Sequence, residues 1–171
     1  MVLVAATAFA QAKTDFNGKW TREMAAGAAA GGGGGGRAAG GGGGGGQRGG
    51  GGMGGGGGLN CGMTCDIVQT AASLKVTRVQ GEATIVAEFK LDGSESKNTA
   101  PGRGGAPGVE VVSKAKWDGN KIVITTERAG QDGTKITSTQ TLAIDGGKMT
   151  ISSTNSMQAD APPQVQTYTK G

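Results

Sequence analysis

Two cysteines four positions apart, a set of Asp-Gly pairs and a complete absence of histidine bound the chemistry open to this 171-residue chain. Histidine is the commonest general base and the commonest metal ligand, so its absence removes both at once. The spacing of Cys61-Gly-Met-Thr-Cys65 is not the two-residue gap of a thioredoxin-like redox pair, and two thiolates without His make half a zinc site. An even count in an exported chain favours a Cys61–Cys65 disulfide that pins a turn before the next strand. The loop it closes is small, so its entropic effect on global stability is small too. A dimer pooling four thiolates is the alternative. Asp92, Asp118, Asp132 and Asp145 each precede a Gly, one per turn, without the clustered acidic spacing of a calcium loop. With no paired carboxylates and no nucleophile motif, the expectation is a protein that is not an enzyme and that has no cofactor and no metal.

Charge gives little to a polyanion. The formal net charge is +4, and Lys75, Lys90, Lys114, Lys116, Lys121 and Lys135 are scattered among apolar neighbours, as on a solvated strand face rather than a nucleic-acid patch. Of the 37 Gly, more than half fall between Gly31 and Gly58. Only Arg48-Gly-Gly fits an RNA-binding RGG tail, with no aromatic beside it, and no Lys-Ser or Lys-Thr closes a phosphate loop. Irregular interruptions set no register for stacked polyglycine helices. Residues 24–60 are therefore expected to be a flexible insertion.

The start of the chain, Met1 to Ala12, is apolar and ends in Ala8-Phe-Ala10 and Ala10-Gln-Ala12, the small-residue spacing that a signal peptidase reads. The expectation is a signal peptide at 1–12, with a true start upstream because no Lys or Arg precedes the apolar run, and export to a periplasmic or extracellular space. A buried N-terminal strand is the competing reading. The run is too short to span a bilayer and no later segment is more apolar, so no integral membrane span is expected.

The elements that must position any site are strands. Thr84 to Leu91 alternates with Ile85, Ala87, Phe89 and Leu91 on one face, and Val109 to Trp117 puts Val109, Val111, Ser113, Ala115 and Trp117 inward. Leu74–Val79, Lys121–Glu127, Thr134–Ile144, Lys148–Ser153 and Val165–Thr169 are rich in Thr, Ile and Val. With a first strand within 14–22, this predicts an all-β, antiparallel up-and-down meander of about eight strands, closed as a barrel, with residues 61–171 forming the remainder after the insertion. An open sandwich is the alternative. Asp92-Gly93, Asp118-Gly119, Asp132-Gly133 and Asp145-Gly146 are read as hairpin turns, Gln80-Gly81 as a fifth, and Ser94 to Gly108 as a mobile loop.

Phe16-Asn-Gly-Lys-Trp20 resembles the Phe-x-Gly-x-Trp opening strand of the calycins, the superfamily of lipocalins, fatty-acid-binding proteins and avidins. Glu88 to Gly93, Lys116 to Gly119 and Tyr168 to Lys170 continue a resemblance to small exported bacterial lipocalin-like or fatty-acid-binding-like proteins. The resemblance implies a barrel whose interior takes a small apolar molecule. Two departures stand out: the Gly-rich stretch replaces the helices that cover a fatty-acid-binding barrel, and Gln166 stands where those proteins carry a carboxylate-binding Arg two residues before the terminal Tyr.

Alternation itself turns Ser113, Thr126, Ser138, Gln140 and Ser153 inward among apolar residues. Small polar side chains fill a solid core badly, which points to a wet cavity, unless a one-residue bulge has inverted the faces. The candidate lining is Arg78, Phe89, Val111, Ser113, Trp117, Ile136, Gln140 and Tyr168. Arg78 either meets a ligand anion or reaches solvent, and Trp20 is expected to floor the barrel. The function expected is binding of a small apolar or weakly polar molecule, with no nucleic-acid partner and an open oligomeric state. The alternative is an envelope or matrix protein using the Gly-rich stretch as a spacer.

Overall fold

Val, Ile and Thr at alternate positions favour a pleated surface with one dry face, and the chain meets that pattern with a single ten-stranded antiparallel sheet. The computed structural model describes residues 13–24, 58–101, 108–129 and 133–171. Its strands are β1 (Gly18–Arg22), β2 (Thr64–Gln69), β3 (Ser73–Gln80), β4 (Ala83–Lys90), β5 (Asp92–Ala100), β6 (Val109–Asp118), β7 (Lys121–Ala129), β8 (Lys135–Asp145), β9 (Lys148–Asn155) and β10 (Gln164–Lys170). Each pairs with its sequence neighbour except at two places: β1 pairs with both β2 and β10, which rolls the sheet into a barrel, and β4 and β5 are its two ends.

Those ends meet without a backbone ladder. The Asn98 side chain of β5 accepts from the Glu88 N–H of β4 at 2.8 Å and donates to the Glu88 C=O at 3.0 Å, while Ser96 Oγ accepts from the Lys90 N–H at 2.8 Å. An amide side chain offers the same donor and acceptor pair as a peptide unit, so Asn98 replaces one rung of the missing ladder. The barrel is therefore nearly closed.

Three expectations need correction. There are ten strands where about eight were expected. β2 was hidden behind the cysteines, and β5 occupies the first part of the segment read as a loop, up to Ala100, because Asp92 to Ala100 has no large apolar residue to betray its alternation. The Asp-Gly pairs are displaced by one: Asp118 and Asp145 are the last strand residues, opposite Lys121 and Lys148, and the two-residue turns are Gly119-Asn120 and Gly146-Gly147. Gly146 and Gly147 both have positive φ, at 56° and 79°, the pattern of a type I′ turn that Gly alone adopts without strain. Asp92-Gly93 is no hairpin turn but part of β5, beside a register shift against β6. Asp132 lies outside the described residues, as do residues 1–12 and 25–57.

The interior is one apolar cluster of residues from all around the barrel, including Phe16, Trp20, Ile67, Leu74, Phe89, Ile122, Ile124, Leu142, Met149 and Tyr168. Trp20 is buried and its Nε1 donates to the Phe16 C=O at 2.9 Å, which ties the segment before β1 across the end carrying the 70–72, 119–120 and 146–147 connections. Lysines face out and pair with carboxylates across neighbouring strands, as in Lys97–Glu110 and Lys114–Glu95, exposed pairs worth little. No helix among the described residues is long and apolar enough to cross a membrane.

Candidate functional site

At the opposite end, which carries the β1–β2, β3–β4 and β5–β6 connections, the inward faces of β6 to β9 change from branched aliphatic to small polar. Ser113 and Thr126 are buried and share a hydrogen bond of 2.8 Å. Gln140 donates through Nε2 to Ser153 Oγ at 3.3 Å and, more closely, to the Leu59 C=O at 2.8 Å. Its Oε1 is buried and has no partner among the described residues. The faces assigned to Ser113, Thr126, Gln140 and Ser153 follow the pleat with no bulge in the β6–β9 ladders. Val109 is the exception among the inward set: it is exposed at the first position of β6, opposite Ala100 at the rim.

Leu59 is the unexpected occupant. The last three residues of the stretch expected as a flexible insertion, Gly58 to Asn60, are packed within the barrel, with Leu59 only 3% exposed and part of the core cluster. Gly58 lies so close to Gln140 that a Cβ there would collide with Oε1 and would also approach Thr126 Oγ1 at 3.3 Å. Cys61 and Cys65 form a buried disulfide that fixes this segment to the start of β2. Between them Gly62 takes a positive φ of 59°, its N–H donates to Asn60 Oδ1 at 2.8 Å, and its C=O accepts from the Tyr168 hydroxyl at 3.2 Å. The same hydroxyl lies 2.8 Å from Gln166 Oε1. Burial pushes the Tyr168 phenol above its ordinary pKa, against a weaker pull from Arg22.

Beside this segment lies a partly open cavity of about 50 Å³, bounded by Gly58 and Asn60 on one side, by Val76, Arg78, Ile85, Ala87 and Asn98 on the other, and by Thr99 to Pro101 at the rim. That is room for a few waters, well short of the ~300 Å³ at which small-molecule sites begin. Arg78 points in from β3, opposite Ile85, and its Nη1 donates to Gln80 Oε1 at 2.6 Å. Burial lowers its pKa, as desolvation of a cation must, and among the described residues it forms no ion pair. The chain has no Asp or Glu between Met24 and Cys65 or between Ala100 and Val109 to supply one.

The residues expected to line one site are thus spread over the interior. Arg78 borders the cavity, and Ser113 and Gln140 form the polar end with buried Val111 and Ile136. Phe89 is fully buried in the apolar cluster. Trp117 is half-buried against Phe16, with ring centroids 6.2 Å apart and Lys13 Nζ 5.2 Å above its ring. Tyr168 sits under Gly62. Sequence reasoning missed Gly58, Leu59, Asn60 and Asn98. The one available signal was Leu59, a large aliphatic residue ending a glycine run two positions before a cysteine.

No protein-family model and no curated protein matches the chain. Solved structures similar to it include apo lipid binding protein 8 of Caenorhabditis elegans, at 11% identity and TM-score 0.49 over 63% of this chain and 70% of that one. The REP1-NXSQ fatty acid transporter is similar at 17% identity and TM-score 0.47, over 63% and 69%. A mutant of the fluorescent protein UnaG is similar at 23% identity and TM-score 0.46, over 63% and 70%.

Proposed function

We propose that this protein is an exported, calycin-like binding barrel that holds a small apolar or weakly polar molecule at the polar end of its interior, without catalysing a reaction. The observation that carries the reading is the lining of that end: Ser113, Thr126, Gln140 and Ser153 face inward, and one buried acceptor, Gln140 Oε1, has no partner among the described residues. A core selected only for solidity gains nothing from such groups, since each buried polar atom without a partner costs on the order of 1–3 kcal/mol. A ligand donor at Gln140 Oε1 recovers that cost. The Cys61–Cys65 disulfide supports the exported setting, because such bonds persist in oxidising compartments.

Native mass spectrometry of protein purified from its own host tests this. The expected result is a stoichiometric small-molecule adduct that denaturation releases. Protein that carries none, and whose extract contains no enriched small molecule, counts against it. That outcome favours a second reading, a structural envelope module, for which the filled interior speaks.

A further inference from the structure

The polar end of the barrel is not empty; the chain itself occupies it, in the manner of a ligand. Leu59 buries its side chain in the core cluster and presents its carbonyl to Gln140 Nε2 at 2.8 Å. Gly58 lies against Gln140 and Thr126, and a Cβ there would have to push the end of the Gln140 side chain aside. Both residues enter from the open end on a segment that the disulfide and the Gly62–Tyr168 hydrogen bond fasten on its C-terminal side. A cavity of about 50 Å³ adjoins the segment and is walled by it.

We propose, resting on the binding function above, that Gly58–Asn60 is a built-in surrogate ligand in a site that takes an uncharged molecule carrying a carbonyl and a branched aliphatic group. The surrogate reads out the class. Gln140 Nε2 supplies the donor for a carbonyl, the space of the Leu59 side chain supplies the aliphatic pocket, and Gln140 Oε1 accepts from a donor that the glycine segment lacks. A ligand enters only when Gly58–Asn60 leaves, and departure merges its volume with the adjoining cavity. The Cys61–Cys65 bond shortens the tether and keeps the surrogate at high effective concentration, so reduction of that bond favours the open form. Apparent affinity is then the intrinsic affinity scaled by the open fraction.

The test uses the full chain and the neutral fluorophore N-phenyl-1-naphthylamine, titrated against wild type, Gly58→Ala and the double variant Cys61→Ser/Cys65→Ser. Gly58 does not need a positive φ, so alanine there acts by displacing the Gln140 amide that holds the Leu59 carbonyl and not through backbone strain. Both variants are expected to bind the fluorophore roughly tenfold more tightly than wild type, with faster amide exchange over residues 59–62. N-acetyl-leucinamide is expected to displace the fluorophore and N-acetyl-glutamate is not. Should a variant fail to fold, Leu59→Gly, which empties the aliphatic pocket and leaves Gln140 in place, takes its place with the same expectation. Equal fluorophore affinity in wild type and variants, with residues 59–62 released in the variants, overturns the surrogate while leaving the binding function standing. Absence of binding in every form, with the segment released, overturns both.

Discussion

Tyr168 shows how one side chain joins the barrel to the segment inside it. It is the chain's single tyrosine, buried in β10, with its hydroxyl near Gln166 Oε1 and the Gly62 carbonyl. Burial raises its pKa, so the folded chain holds the phenolic proton to higher pH than the unfolded chain, which releases it near pH 10. Below about pH 10 both states are protonated and the stabilisation is complete; as pH rises through the folded value, ionisation of the unfolded chain draws the equilibrium away from the native state. Tyr168→Phe is expected to cost about 1 kcal/mol at neutral pH through the lost hydrogen bond and to abolish this tyrosine-linked part of the alkaline decline. Urea midpoints across the alkaline range, with phenolate absorbance reading the titration, check both. Equal alkaline slopes in the two proteins would show that the phenol is not shielded. At this scale the sequence was partly legible: Gln140 was singled out by alternation and Tyr168 by the resemblance of the chain's last strand, whereas their partners Gly62 and Leu59 were not. Alternation reports which way a strand residue faces, and it has nothing to say about an irregular segment that folds back inside.

Closure of the barrel is decided at the level of elements, along the seam between β4 and β5. Two side chains carry it, Asn98 with two hydrogen bonds to the Glu88 peptide and Ser96 with one to the Lys90 N–H. Asn98→Ala removes both Glu88 bonds from a seam that has no ladder to fall back on. The expected loss is about 1–2 kcal/mol, moderated because water reaches this seam. It comes with faster amide exchange at Glu88 and unchanged exchange in the β7–β8 ladder. Asn98→Asp keeps the acceptor and loses the donor, so its stability falls between the two. If Asn98→Ala exchanges like wild type at Glu88, the seam is held by something other than this amide. The strands rich in Val, Ile and Thr were legible because burial demanded branched side chains at every second position. β5 was not, because Ser96, Asn98 and Ala100 serve pairing and tight approach instead of core volume. The hairpins at Gly119 and Gly146 were placed within one residue, since Gly marks the turn where positive φ is required, but the preceding Asp belongs to the strand end, and at Asp92-Gly93 the same pair lies inside a strand.

For the molecule as a whole, the organising fact is that β1 is a wedge between β2 and β10, joined to β2 through residues 25–57 and the surrogate segment. Without β1 the sheet has no means of rolling up, so the barrel closes only after a loop of that length has closed. Treated as chain entropy alone, loop closure costs about (3/2)RT ln n. Replacing residues 25–57 by a Gly-Ser linker of about six residues, with Gly58 to Cys65 kept, is then expected to stabilise the barrel by on the order of 1.5 kcal/mol. Urea unfolding of the two proteins measures it, with equal m values showing that the same surface is buried. The sign is the informative part. A stabilised variant means that these residues serve β1 only as a tether, and that whatever else they do lies outside the fold. A destabilised one means that they contribute contacts to the barrel, and their glycine content would then be a packing requirement like that of Gly58, where a single Cβ meets Gln140.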